Sequence, residues 1–221
     1  MEVTLKAVPD FNALREDYKN GTLDEASADP NPLRQFERWF AEAVNSGLRE
    51  PNAMTLATAT EAGEPDARIV LLKGVDARGL TFFTNYGSQK GRELAENPRA
   101  ALVFFWAELE RQIRIRGGVE KVSREETEAY FATRPVKSRL GAAVSAQSSV
   151  IPGRAWLEGE LAQLEARYPD SAPPCPESWG GYRLAPSDYE FWQGRRSRLH
   201  DRLRYRRDGV EGNWIVERLS P

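Results

Sequence analysis

Cysteine and histidine are almost absent from this chain, whose 221 residues hold one of each, Cys175 and His200. A single cysteine excludes an internal disulfide framework, and with one imidazole available no metal centre built on cysteine or histidine is expected. Cys175, in the loop Pro173-Pro174-Cys175-Pro176, reads as an inert exposed thiol. No stretch reaches the roughly 18 consecutive apolar residues of a membrane-crossing helix. The start, MEVTLKAVPDF, lacks the apolar run of a secretion signal, so a reducing, cytoplasmic setting is the expectation. An excess of either charge is missing too: Lys and Arg total 31 against 33 Asp and Glu. Nothing in that balance favours nucleic acid or an anionic membrane, and any anion site must come from a local cluster. No Gly-x-Gly-x-x-Gly follows a strand-like segment, which argues against a Rossmann site.

What the chain does contain is enough apolar residue, 40%, to bury the core of one domain. Asp29-Pro30-Asn31-Pro32 precedes Leu33, Phe36, Trp39, Phe40 and Val44, with Gly47 just beyond, the pattern of an amphipathic helix started by prolines and stopped by glycine. From Met54 the period changes. Met54 to Thr60, Arg68 to Val75, Leu80 to Thr84, Ala100 to Trp106 and Glu110 to Val122 are rich in Val, Ile, Thr and Phe and separated by turn signals. Helical segments are expected at Gln89 to Glu96, Ser123 to Thr133, Ser138 to Ser145 and Gly153 to Tyr168, before a proline-rich loop and a final set of strands. Hairpins with inserted helices predict an α+β barrel rather than a parallel sheet.

Four clusters could carry chemistry. Arg195 to Arg207 holds seven arginines in thirteen residues, a solvated face or a nucleic-acid patch on its own terms. If Arg198 to Arg202 is a strand, alternation puts Arg198, His200 and Arg202 on one face and Leu199 and Asp201 on the other. Asp201 then cannot orient the His200 ring, so a hydrolytic triad fits poorly, whereas an anion beside a near-neutral imidazole fits well. Arg68-Ile69-Val70-Leu71-Leu72-Lys73 has a cation at each end of an apolar run. In an undistorted strand the two point to opposite faces, unless a bulge re-aims one.

Phe83-Thr84-Asn85-Tyr86-Gly87-Ser88-Gln89-Lys90-Gly91 passes from strand to helix through a Gly/Ser turn, which offers amides and a lysine to a phosphate, although a plain helix cap would look alike. Tyr130 and Arg134 lie one helical turn apart, Pro135 stops that helix and Ser138 can cap the next, forming a second phosphate cradle. Two such sites suggest two phosphorylated ligands.

These segments bring a resemblance into view. RIVLLK (Arg68 to Lys73), FFTNYGSQK ending at Lys90, ERQIRI (Glu110 to Ile115), YFATRP (Tyr130 to Pro135), SAQSS (Ser145 to Ser149), WGGYR (Trp179 to Arg183), EFWQG (Glu190 to Gly194) and RLHDR (Arg198 to Arg202) occur in the order of the pyridoxine/pyridoxamine 5'-phosphate oxidase family. The chain resembles that family over nearly its whole length.

The resemblance implies an antiparallel Greek-key split barrel with peripheral helices, a homodimer with two sites at its interface, and FMN as cofactor. It implies a mobile segment over residues 1–28 and a single domain over 29–221 that includes C-terminal dimerisation and substrate strands. Cofactor contacts fall on Arg68, Ile69, Val70, Leu71, Leu72, Lys73, Phe83, Thr84, Gln89, Lys90, Gln112, Gln147, Ser148, Trp192 and Arg202. Gln89 departs from the pattern, since many members carry a basic residue there. Substrate contacts fall on Lys73, Tyr130, Arg134 and Ser138 for the phosphate, on Arg198, Leu199 and His200 over the ring, and on Arg15, Glu16, Asp17 and Tyr18 in a segment that closes over the substrate.

The implied reaction takes hydride from C4' of pyridoxine or pyridoxamine 5'-phosphate to N5 of FMN. Reoxidation by O2 then gives pyridoxal 5'-phosphate and hydrogen peroxide, with Arg198 and His200 as the catalytic pair. Two rivals remain: another split-barrel flavoprotein, such as a flavin reductase or a deazaflavin-dependent enzyme, and an arginine-rich anion or nucleic-acid binding module. Trp179 is assigned to the core.

Overall fold

Proline begins the first helix as the sequence predicts: Pro32 opens α1 (Pro32–Asn45), and Asn31 caps it, its Oδ1 accepting from the Leu33 amide at 2.9 Å. The structure, a computed structural model, describes residues 17–169, 171–209 and 212–221. Phe36, Trp39 and Ala43 of α1 are buried, with Phe36 edge-on to Phe104 and Trp39 edge-on to Phe191. Val44 falls outside the expected stripe and is half exposed, because a residue directly after Ala43 is rotated about 100° around a helix.

Among the described residues nine strands follow the expected antiparallel pattern: β1 (Ala53–Ala59), β2 (Pro65–Leu71), β3 (Gly74–Asp76), β4 (Gly79–Asn85), β5 (Arg99–Trp106), β6 (Arg111–Lys121), β7 (Trp179–Gln193), β8 (Asp201–Arg207) and β9 (Trp214–Arg218). They join in the order β2-β1-β5-β6-β7-β4-β3, with β8 on β7 and β9 on β8. The result is an α+β Greek-key split barrel with helices α1, α2 (Gln89–Glu96), α3 (Arg124–Thr133), α4 (Val136–Val144) and α5 (Arg154–Arg167) around it. Leu56, Leu80, Phe82, Leu102, Phe104, Ile113, Ile115, Leu184, Phe191, Leu203 and Tyr205 alternate inward and are fully buried. Each such side chain contributes about 1.5–3 kcal/mol by leaving water. Gly117 allows β6 and β7 to cross closely where their register shifts, since a Cβ there would lie 1.9 Å from the Ala185 carbonyl oxygen.

Three local expectations are corrected. Arg68 to Val75 is two strands rather than one: after Leu71 the Leu72 amide donates to Asn52 O and the Lys73 amide to Thr81 O, both at 2.8 Å, so the chain leaves β1 and joins β4. Ser138 does not cap α4. Pro135 is the residue before the helix, and the Ser138 amide donates to Pro135 O at 2.9 Å from within the first turn.

Arg198 to Arg202 is not one strand. β8 begins only at Asp201, opposite Gln193, and residues 194–200 are used to reverse the chain. Ser197 and Arg198 adopt left-handed φ of 56° and 60° around a short 3-10 turn, so alternation does not govern Arg198 and His200.

Within the segment expected to be mobile, Leu23 is buried in the core cluster and its amide donates to Asp201 Oδ2 at 3.1 Å. Arg15 and Glu16 lie outside the described residues. No described helix is long and apolar enough to cross a membrane.

Candidate active site

Between the β2–β3 break, the end of β4 and helices α3 and α4 lies an open cleft of about 520 Å³. The break presents Ile69, Val70, Leu71 and Lys73 along one wall, while Phe83, Thr84 and Lys90 come from β4 and the start of α2. Tyr130, Arg134 and Ser138 form the opposite side, and Gln147 closes one end. The two phosphate cradles read separately from the sequence are therefore one cleft. Ser88 caps α2 through the Gly91 amide, and Lys90, two residues on, projects into the cleft, so the turn is both a helix cap and a cationic wall.

Gln147 Oε1 accepts from Thr84 Oγ1 at 2.9 Å and from Lys90 Nζ at 3.2 Å, fixing both donors. Burial, and then the neighbouring Arg68 guanidinium, pulls the Lys90 ammonium below the ordinary lysine range. Burial likewise pulls Arg134 down and pushes Tyr130 up. Arg134 Nη1 is buried with no hydrogen-bond partner among the described residues. Desolvated cations of this kind are stabilised by an anion.

Aromatic residues hold the cradle in shape. Phe83 stacks on Tyr130 with centroids 4.0 Å apart and on Trp179 at 5.4 Å, and the Arg134 guanidinium lies 4.7 Å over the Trp179 ring. Trp179 thus lines the cleft as well as packing inward, a role its placement in the core overlooked. Asn85, Gly141, Ala142 and Ser145 also line it without having been singled out. The adjacency of SAQSS to α4 was the one signal that could have found Ser145.

Several expected cofactor contacts do not line this cleft. Leu72 is buried. Ser148 has a left-handed φ of 69° and is exposed. Arg68 turns away: its guanidinium bonds Asp66, Thr58 and Glu93, the last at 3.0 Å. Burial raises Glu93, but hydrogen bonds from Thr58, Gln89 and Arg68 outweigh it and hold the carboxyl below its usual range. Gln89 serves that carboxylate, with Nε2 donating to Glu93 Oε1 at 2.7 Å.

The remaining expected residues form a second region. Gln112, Trp192 and Arg202 sit opposite one another across β6, β7 and β8, so they share one transverse row. His200 reaches the same place from the 194–200 loop, its ring 4.7 Å from Trp192, and Tyr18 stands edge-on to both at 5.5 Å. Tyr18 and Leu199 line a cleft of about 640 Å³ with Lys19, Arg195 and Arg196. Arg198 and Asp17 are exposed.

The Arg195 amide donates to His200 Nδ1 at 3.1 Å, which leaves Nε2 to carry the proton of the neutral ring. Burial, and then Arg198, holds His200 below the ordinary histidine range. Asp201 accepts from Leu23 and pairs with Arg195 and Arg218, consistent with the expectation that it does not orient the imidazole.

The two regions lie toward opposite ends of β7: Thr84 pairs with Gly180 and Arg202 with Trp192.

The family model described as pyridoxamine 5'-phosphate oxidase matches residues 40–168, and that of the pyridoxine 5'-phosphate oxidase C-terminal dimerisation region matches 179–221. The pyridoxine/pyridoxamine 5'-phosphate oxidase of Burkholderia thailandensis is 58% identical over 209 residues, 94% of this chain and 97% of the relative. That of Paraburkholderia phymatum is 59% identical over 208 residues, with the same coverage of 94% and 97%.

Among solved structures, PhzG from Burkholderia lata in complex with tetrahydrophenazine-1-carboxylic acid superposes with a TM-score of 0.85 at 35% identity, covering 91% of this chain and 99% of that one. A pyridoxamine 5'-phosphate oxidase-related, FMN binding protein from Nostoc punctiforme, at TM-score 0.68 and 19% identity over 86% of this chain and 98% of that one, shares the fold. Family models that together span most of the chain, and relatives well over half identical along it, lead to one statement: the chain belongs to the pyridoxine/pyridoxamine 5'-phosphate oxidase family.

Proposed function

We propose that this enzyme is an FMN-dependent oxidase that converts pyridoxine 5'-phosphate and pyridoxamine 5'-phosphate to pyridoxal 5'-phosphate. O2 is the acceptor, hydrogen peroxide is released, and the amine also yields ammonia. The observation that carries the reading is the single cleft in which Lys90, Thr84 and Gln147 face Lys73, Tyr130, Arg134 and Ser138. The orphaned Arg134 nitrogen and the desolvated Lys90 suit anionic groups, which fits two phosphorylated ligands sharing one cleft.

In this reading the Ile69 to Lys73 wall, Phe83, Thr84, Lys90 and Gln147 hold the flavin. Lys73, Tyr130, Arg134 and Ser138 hold the substrate phosphate. Bound FMN supplies the two-electron redox chemistry and its reoxidation by O2. The chain's own residues bind and orient the substrate. Arg198 positions the ring, and neutral His200 orients it by donating from Nε2; accepting a proton there would require the Nδ1–H tautomer and would forfeit the Arg195 hydrogen bond.

We infer further that the working unit is a homodimer. One ligand meets both regions only if the Gln112, Trp192, Arg202 and His200 wall comes from a second copy, because in one chain it stands at the far end of β7 from the cleft. The phosphate cradle favours a phosphate ester over an unphosphorylated tricyclic acid of the kind bound in the PhzG structure.

The test is direct. The purified protein is expected to be yellow, or to become so with added FMN, and to form pyridoxal 5'-phosphate from pyridoxamine 5'-phosphate under air. A protein that takes up no flavin, or a flavin-loaded one that forms no product, overturns the reading.

A further inference from the structure

The segment that bears Tyr18 is held by a carboxylate to which no role has been given. Glu110 stands at the corner between β5 and β6, where it closes a 3-10 turn (Ala107–Leu109) in a left-handed conformation with φ 53°. Its Oε2 accepts from the Lys19 and the Asn20 amides, each at 2.7 Å. Two successive backbone donors on one carboxylate oxygen form a charge-assisted clasp. Its backbone carbonyl accepts from the Gly194 amide at 2.7 Å, so the same residue also fixes the start of the loop that carries His200.

Gln193 Nε2 secures the crossing by donating to Asn20 O at 2.6 Å and to Glu110 O at 3.2 Å. Space at the crossing is limited. A Cβ on Gly194 would lie 2.7 Å from Tyr18 Cγ and 2.9 Å from Glu110 Cβ, so only glycine lets the Tyr18 ring settle against Trp192 and His200.

We propose that Glu110 is a positioning residue: its carboxylate sets where the N-terminal segment crosses the sheet corner, and thereby holds Tyr18 against the His200 and Trp192 wall. This rests on the oxidase reading, in which Tyr18 borders the bound substrate. Glu110 itself lines neither cleft. The flavin-holding residues of the cleft belong to other elements, so the clasp is expected to act first on the substrate side, although Tyr18 also stands against Trp192, which the family resemblance gives to the flavin.

The experiment combines a mutant cycle with a proteolytic probe, using the FMN-loaded full chain. Glu110→Ala is expected to raise KM for pyridoxamine 5'-phosphate about tenfold or more, leaving the FMN dissociation constant within about twofold. In a Tyr18→Ala background the same substitution adds no further rise, because the side chain it positions is gone. Glu110→Gln, which keeps an acceptor oxygen without its charge, gives an intermediate KM. Tryptic cleavage after Lys19 accelerates in Glu110→Ala while the thermal midpoint stays close to that of the unmodified chain.

An unchanged KM, full additivity with Tyr18→Ala, or a parallel loss of flavin affinity overturns the proposal. If the unmodified enzyme fails to oxidise pyridoxamine 5'-phosphate, the oxidase reading falls instead. The clasp is then judged on the Lys19 cleavage rate, and an unaltered rate overturns it.

Discussion

The cationic cleft and the arginine-rich wall differ in how their charges are spent. On the wall, Arg202 and Arg114 both pair with Glu190, Arg204 and Arg116 with Asp188, and Arg206 with Glu217, a ladder across β6 to β9 that, with Arg195 on Asp201, engages four of the cluster's seven arginines. Arg207 lies over Trp214. Among the described residues, Arg196 and Arg198 alone in that run have neither an ion pair nor an aromatic partner. Among the described residues the cleft's cations are fewer and none is ion-paired: Arg134, though it lies over the Trp179 ring, keeps an orphaned nitrogen, and Lys90 donates to Gln147. A count of arginines therefore points to the wall, whereas a count of unsatisfied donors points to the cleft proposed to bind the anions.

Substitutions can break this comparison. The largest effect is expected from Arg134→Leu, which removes the orphaned donor. A charge-assisted contact is worth roughly 1.5–3 kcal/mol, so KM for pyridoxamine 5'-phosphate should rise roughly 10- to 150-fold. Flavin content should not change, and steady-state kinetics beside a visible spectrum checks both.

Arg198→Ala, the unpaired arginine of the wall, is expected to lower turnover roughly tenfold or more through lost ring positioning, again at unchanged flavin content. Equal losses of turnover and flavin would sink the role given to Arg198. Glu190→Gln should act on stability instead. It leaves Arg114 and Arg202 without their shared anion in a site where Glu190 is only 7% exposed. A loss of about 1–3 kcal/mol in denaturant unfolding is expected, and no loss would mean the ladder is ornamental.

The same contrast explains what could be read from the sequence. Regular elements obey local rules: α2, at the cleft, runs over Gln89–Glu96 as expected because Ser88 caps it, and β6 alternates from Gln112 to Arg116 because one face is buried. The wall depends on chain reversal. Arg198-Leu199-His200-Asp201-Arg202-Leu203 mimics strand alternation, yet its first three residues belong to a turn that the Gln193 and Asp201 pairing forces. The inferred neighbourhood of His200 and Arg202 survived because Trp192 pairs with Arg202 and receives the His200 ring, not because the two share a strand face.

The β2–β3 break was invisible for a related reason. Ile69 to Leu72 is an unbroken apolar run, and the change of partner from β1 to β4 leaves no mark in composition. Glu110 and Trp179 were missed because their roles are set by residues distant in sequence.

The smallest effect sharpens the comparison most, because His200 is the only histidine and can be followed alone by NMR. Burial and Arg198 disfavour its charged form, and the Arg195 amide occupies Nδ1 as donor, so the folded ring should titrate below 6.5. In the interval beneath 6.5 the unfolded chain then binds more protons than the folded one. Stability should therefore decline as pH falls from above 6.5 through the folded-state value, and level off below it. His200→Gln should flatten that part of the stability profile, and its spectrum should lose the one titrating imidazole signal. A ring that titrates above 6.5 would mean that an anionic partner outweighs burial and Arg198. The wall would then spend this cation, like most of its arginines, on a partner of its own.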